Sequence, residues 1–139
     1  MQLGLPLERS LVRILLVDDY EPFRRFVRST LRKRPSLQIV AEVSDGLEAI
    51  QQAEELKPDL ILLDIGLPTL NGIEAAREIR KLAPESKIIF VTQESLADVV
   101  QEALSMGVLG YVLKAQAGTD LIAAVEAVIE GRQFLSSSL

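Results

Sequence analysis

Five short apolar runs punctuate the 139-residue chain, and four of them end in side chains able to handle phosphate or a metal. These are Asp18 and Asp19 after the first run, Asp64 after the third, Thr92 after the fourth and Lys114 after the fifth. Three carboxylates brought together repel and raise each other's pKa unless a cation sits among them. A hard divalent ion resolves that conflict. Mg²⁺ fits best, because it uses one or two carboxylates, keeps several waters and takes further ligands from a phosphate-bearing partner. Asp64 is the best candidate nucleophile, since it ends a central run and precedes the glycine-containing loop Gly66 to Gly72, which leaves space for a phosphoryl donor. A carboxylate can be a covalent acceptor through an aspartyl-phosphate. Lys114 and a metal held partly by Asp18 and Asp19 would then spread the charge developing on the transferred group, while the Thr92 hydroxyl donates a hydrogen bond to it.

Composition narrows the alternatives. The chain has no cysteine and no histidine, which excludes a disulfide framework, a zinc site of the usual kind, a Cys or Ser-His nucleophile and a histidine base. An acceptor carboxylate, already anionic at neutral pH, needs no base. A content of 48% hydrophobic and 25% charged residues matches one soluble globular domain. Apolar runs such as Ile14 to Val17 and Leu60 to Leu63 fall far short of the roughly 20 residues of a membrane span. Met1 to Ser10 shows no secretory pattern, so a cytoplasmic location is expected. The net charge of -5 argues against direct nucleic-acid binding. Charge is unevenly spread: residues 1 to 34 hold eight of the fifteen Lys and Arg against four acids.

The reactive residues must be positioned by the elements around them. β-Branched apolar runs alternate with helix-period segments, the pattern of a parallel α/β sheet. Strands are expected over Val12 to Val17, Leu37 to Val43, Asp59 to Leu63, Lys87 to Thr92 and Leu109 to Leu113. Gln38 and Glu42 interrupt the second and suggest a sheet edge. Helices are expected from Pro22, with Phe23, Phe26, Val27 and Leu31 on one face and Pro35 as the stop, over Gly46 to Leu56 and from Ile73 to Ala83. Two more carry Leu96, Val99, Val100 and Ala103 up to Gly107, and Leu121 to Ile129 up to Gly131. Ligands of open α/β sheets bind outside the carboxyl ends of the strands, so the polar strand ends should meet there. One domain is expected over 12–134, with 1–11 an N-terminal extension and 135–139 a frayed tail or the start of a linker.

From Val12 to Phe134 the chain resembles the receiver domains of two-component response regulators. Their pattern is an acidic pair after the first strand, an acceptor Asp after the third, Thr or Ser after the fourth and Lys after the fifth. The stretch DIGLPTLNGIEAAREIR and the segment GYVLK match it specifically. The resemblance implies a doubly wound, flavodoxin-like five-stranded parallel sheet in the order 2-1-3-4-5 with five helices. It places Tyr111 at the aromatic switch position and the Gly66 backbone carbonyl beside Asp18, Asp19 and Asp64 as a metal ligand. DIGLP, GLEAI and the stretch from Gly110 to Ser136 further resemble the NarL/FixJ subfamily, whose receivers are usually joined to a LuxR-type DNA-binding domain. Implied with that are a histidine kinase as phosphoryl donor and a switch in which Thr92 moves inward and Tyr111 fills the space it opens. Receiver pairing is expected through the fourth helix, fifth strand and fifth helix, or through the first helix. No output domain is expected within these residues: either the chain is a fragment cut at the linker after Phe134, reaching DNA only through a missing domain, or it is a stand-alone receiver that binds another protein or relays phosphate. The only catalysis implied is of its own phosphorylation and dephosphorylation.

Two residues depart from the family pattern. Ala115 replaces the usual proline after Lys114, so that bond is expected to be trans or strained, as a non-proline cis bond costs about 2.5 to 4 kcal/mol. Gln93 is long where a small residue is usual, and is expected to cover part of the acceptor and tune phosphoryl lifetime. Taken singly, each candidate has an ordinary explanation: a solvated turn, a loop cap, a strand former, an exposed lysine. Their falling at one sheet edge in the family's order overturns those explanations. A phosphohydrolase would need a second acid two residues beyond Asp64, where Gly66 stands, and a degenerate binding module would not need the full acidic set. Arg24, Arg25, Arg28, Arg32, Lys33 and Arg34 are expected to form a solvated helix face, the alternative being a docking surface for a kinase or a second receiver.

Overall fold

The computed structural model describes residues 11–139. The N-terminal extension lies, apart from Leu11, outside them. Strands β1 (Val12–Val17), β2 (Leu37–Val43), β3 (Leu60–Leu63), β4 (Lys87–Thr92) and β5 (Gly110–Leu113) alternate with helices α1 (Glu21–Leu31), α2 (Gly46–Leu56), α3 (Gly72–Leu82), α4 (Ala97–Ser105) and α5 (Ala117–Ile129). With a last strand β6 (Phe134–Leu135), the sheet is parallel throughout, in the order β2-β1-β3-β4-β5-β6. This is the flavodoxin-like receiver order with a short sixth strand added.

The strands are apolar because both sheet faces are covered. Ile14, Leu16, Leu60, Leu62, Ile89 and Val91 pack with Val27 and Leu31 of α1 and Leu121, Val125 and Val128 of α5. Their alternate neighbours Leu15, Val17, Ile61, Leu63, Ile88 and Phe90 pack on the other side with Ala53 of α2, Ile79 of α3 and Ala103 of α4. Helix starts follow from side-chain caps: Asp45 accepts from the Glu48 N–H at 2.8 Å and Asn71 from the Glu74 N–H at 3.0 Å, which satisfies donors the helices leave unpaired. Pro22 lies in the first turn of α1, where its missing N–H is harmless.

At the sheet edge, β2 is half-buried and its register on β1 slips between Ile14 and Leu15. The extra residue is Val40, because Ile14 pairs with Ile39 and Leu15 with Ala41. Such a bulge re-aims the side chains beyond it. Leu37 and Ile39 pack with the α1 side, whereas Ala41 and Val43 pack with the other. Glu42 is thereby turned toward α1.

The chain end differs from the expected frayed tail. β6 (Phe134–Leu135) pairs with β5, and Ser136 is buried. The Ser136 hydroxyl accepts from the Leu113 N–H at 3.0 Å and donates to Asp120 Oδ2 at 2.9 Å. A two-residue strand carries no periodicity that would announce it. Lys114–Gln116 form a 3₁₀ turn leading into α5, and no cis peptide bond occurs among the described residues, so the Lys114–Ala115 bond is trans. No described helix is long and apolar enough to cross a membrane.

Candidate functional site

Strand register brings the polar strand ends together. Val17 of β1 lies beside Leu63 of β3, and Thr92 of β4 beside Leu113 of β5, so Asp18 and Asp64 leave the sheet as neighbours, as do Thr92 and Lys114. Carboxylate oxygens of Asp18, Asp19 and Asp64 lie within 4.8 Å of one another. Asp18 and Asp64 are buried, at 1% and 6% exposure, while Asp19 is exposed. An open cleft of about 550 Å³ is lined by Asp19 and Asp64 together with Tyr20, Gly66, Thr92, Gln93, Glu94 and Lys114.

Lys114 reaches back across this cleft. Its Nζ lies 2.7 Å from Asp18 Oδ2 and 3.2 Å from Asp64 Oδ2, and 4.6 Å from the centre of the Phe23 ring, a cation–π distance. Burial pushes the Asp18 carboxyl above its ordinary range, and hydrogen bonds from Lys114 and the Tyr20 N–H only partly oppose it. For Lys114, burial favours the neutral form, but the hydrogen bond to Asp18 and the charges of Asp64 and Asp18 outweigh it and hold the ammonium. Three carboxylates against one ammonium leave an excess of negative charge that suits a hard divalent cation. Oxygen donors only, with one carboxylate exposed to water, fit Mg²⁺ and its retained waters. Gly66 lies at the cleft, its N–H 3.3 Å from Asp64 Oδ1.

Thr92 and Tyr111 are linked through one residue. The buried Thr92 Oγ1 accepts from the Glu94 N–H at 3.3 Å, and the Tyr111 hydroxyl donates to the Glu94 carbonyl at 2.7 Å. The Tyr111 ring is 0% exposed and lies 6.0 Å from that of Phe90. Burial, with the Glu94 and Asp64 carboxylates adding to it, pushes its phenol up to about 12. The ring occupies the interior here, where its hydroxyl has the Glu94 carbonyl to satisfy it. Gln93 is exposed at the cleft wall.

The arginine face differs in part from the solvated face expected. Arg25, Arg32, Lys33 and Arg34 are exposed, as a solvated face requires. Arg24 and Arg28 are only 18% and 29% exposed, and both bind Glu42 Oε1, at 3.1 and 2.6 Å. Arg24 Nη1 further donates to the Asp18 carbonyl oxygen at 2.6 Å. Sequence reading missed Phe23, Arg24 and Glu94 as parts of the site. Phe23 carries the same signal as any apolar helix position, and the role of Arg24 depends on the bulge that turns Glu42.

Residues 14–126 match the model of the response regulator receiver domain, and the chain belongs to that family. It is 38% identical over 120 residues to the response regulator protein VraR of Staphylococcus epidermidis, covering 86% of this chain and 57% of VraR. With the transcriptional regulatory protein DegU of Brevibacillus brevis it shares 33% identity over 124 residues, 89% of this chain and 52% of DegU. The chain thus spans little more than half the length of these curated relatives. The crystal structure of a LuxR-family two-component response regulator from Aurantimonas sp. SI85-9A1 superposes with a TM-score of 0.87 at 34% identity, covering 92% of this chain and 91% of that one. These likenesses fit the NarL/FixJ subfamily, and two-component signalling with transcription regulation is the setting its relatives share.

Proposed function

We propose that Asp64 accepts a phosphoryl group from the phosphohistidine of a histidine kinase in a Mg²⁺-dependent step. The observation that carries this reading is the placement of the buried Asp64 carboxylate on the cleft floor, within 3.2 Å of the Lys114 ammonium and beside Asp18 and Asp19. A carboxylate oxygen attacks phosphorus, the phosphorus–nitrogen bond of the donor breaks, and the departing imidazole takes a proton. Asp18, Asp19, Asp64 and the Gly66 carbonyl would hold the Mg²⁺, which supplies charge neutralisation on the phosphoryl oxygens. Lys114 adds a fixed positive charge to the same oxygens, and Thr92 a hydroxyl donor.

In this reading Thr92 turns its hydroxyl from the Glu94 N–H toward a phosphoryl oxygen. The Glu94 peptide, held on its other side by Tyr111, then resettles. α4 follows easily because Ala103 alone among its residues is buried, so few apolar contacts resist its movement. The surface around α4, β5 and α5 changes, and receivers pair there or through α1 to control a LuxR-type DNA-binding domain. Calorimetric titration of Mg²⁺ into wild type and Asp19→Asn tests the metal half of the scheme. Saturable binding that weakens in the variant is expected, and no binding by the folded wild type would point instead to a phosphorylation-independent binding module.

A further inference from the structure

Arg24 is the one basic side chain of α1 that touches the acidic loop. Its Nη1 donates to the Asp18 carbonyl oxygen at 2.6 Å, and its Nε donates to Glu42 Oε1 at 3.1 Å. The same carboxylate oxygen accepts from Arg28 Nη1 at 2.6 Å, and Arg28 Nη2 reaches Glu21 Oε2 at 2.9 Å. The bulge at Val40 is what turns Glu42 to this side of the sheet. Asp18 is therefore held at four points: its N–H by the Val43 carbonyl, its carbonyl by Arg24, and its carboxylate by the Tyr20 N–H and by Lys114. Asp19 follows directly and is exposed, so its direction rests on the backbone that these contacts fix.

Resting on the proposed metal site, we infer that Arg24 is a positioning residue for Mg²⁺: it orients the Asp18–Asp19 loop through the Asp18 carbonyl, with Glu42 aiming and neutralising its guanidinium. Residues that orient metal ligands commonly change affinity about 10- to 100-fold when replaced. The sign of the effect separates positioning from simple charge. Removing a cation close to a metal site by electrostatics alone tightens Mg²⁺ binding, whereas releasing the loop weakens it. Lysine keeps the charge but presents a point donor without the planar fork that reaches both partners.

The test is a calorimetric Mg²⁺ titration of wild type, Arg24→Gln, Arg24→Lys, Glu42→Gln and Arg25→Gln, with metal-free melting curves and hydrogen exchange at the Tyr20 amide. Arg24→Gln and Arg24→Lys are expected to weaken binding about tenfold or more and to speed Tyr20 exchange. Glu42→Gln shifts affinity in the same direction, and its effect is not additive with that of Arg24→Gln. Arg25→Gln, which removes the same charge from an exposed site on the same helix, leaves affinity unchanged. If Arg24→Gln does not fold, Arg24→Lys carries the test. Wild-type or tighter affinity in a folded Arg24 variant overturns the positioning role while the metal site stands; absence of Mg²⁺ binding by the wild type overturns both.

Discussion

Substituting Gly72 by alanine presses directly on the acceptor. A Cβ at this position would stand 2.0 Å from the Asp64 carbonyl oxygen and 2.7 Å from Ile65 Cα, where ordinary contact begins near 3.4 Å. The first contact is thus short by about 1.4 Å. Both obstructing atoms are backbone, so no rotamer change relieves them, and Gly72 is fixed from behind by its N–H bond to the Ile65 carbonyl at 2.8 Å. Overpacking in a core costs typically about 1 to 3 kcal/mol, and a clash of backbone with Cβ belongs at or above the upper figure. About 3 kcal/mol corresponds to a fall in melting temperature of about 10 °C for a domain of this size. If the end of β3 yields, Asp64 is displaced by about an ångström, a misplacement that can lower a rate about 100-fold. Urea denaturation and the initial rate of phosphorylation by a small-molecule donor, measured where the variant remains folded, read the two effects. Gly118 provides the control: nothing lies within 4 Å of its would-be Cβ, and alanine there should stabilise α5 by about 0.5 kcal/mol. A Gly72→Ala protein within about 1 kcal/mol of wild type, phosphorylated at the wild-type rate, would refute the close approach of α3 to the acceptor.

Tyr111→Phe removes the donor to the Glu94 carbonyl and should destabilise by about 1 kcal/mol at neutral pH, with faster hydrogen exchange through residues 93–96. Because the Tyr111 phenol is raised to about 12 from about 10 in the unfolded chain, the folded state favours its proton. The stabilisation is complete below pH 10 and is lost as pH rises through 12, so the urea midpoints of wild type and Tyr111→Phe should converge over that window; a constant gap would contradict the burial of the hydroxyl. Ser86→Ala strands the buried Pro58 carbonyl, which now accepts from the Ser86 hydroxyl at 2.6 Å, and should lower stability by about 1 to 2 kcal/mol in denaturant. An unchanged midpoint would mean that this carbonyl finds another donor.

How much of this was legible in the sequence follows from the kind of signal each feature leaves. Strands buried on both faces leave apolar runs, so β1 and β4 were readable with their bounds, as was the half-buried edge strand β2 from its run broken by Gln38 and Glu42, and the polar residues that end β1, β3, β4 and β5 marked the site. β6 left no signal because two residues have no period; it pairs with β5 through backbone bonds from the Phe134 and Ser136 N–H groups, and the Ser136 hydroxyl anchors the chain just beyond it. The inward Tyr111 could not be read, since an aromatic strand residue looks alike whether its hydroxyl meets a carbonyl or solvent. The pairing of Arg24 with Glu42 joins residues 18 positions apart across a bulge, a geometry no local pattern encodes.

Phosphoryl transfer to Asp64 is read out by intact mass after incubation with Mg²⁺ and a small-molecule phosphoryl donor, wild type beside Asp64→Asn. A single phosphoryl adduct is expected on the wild type, dependent on Mg²⁺ and absent from Asp64→Asn. An adduct that persists in the folded variant, or none on the folded wild type, would contradict that transfer.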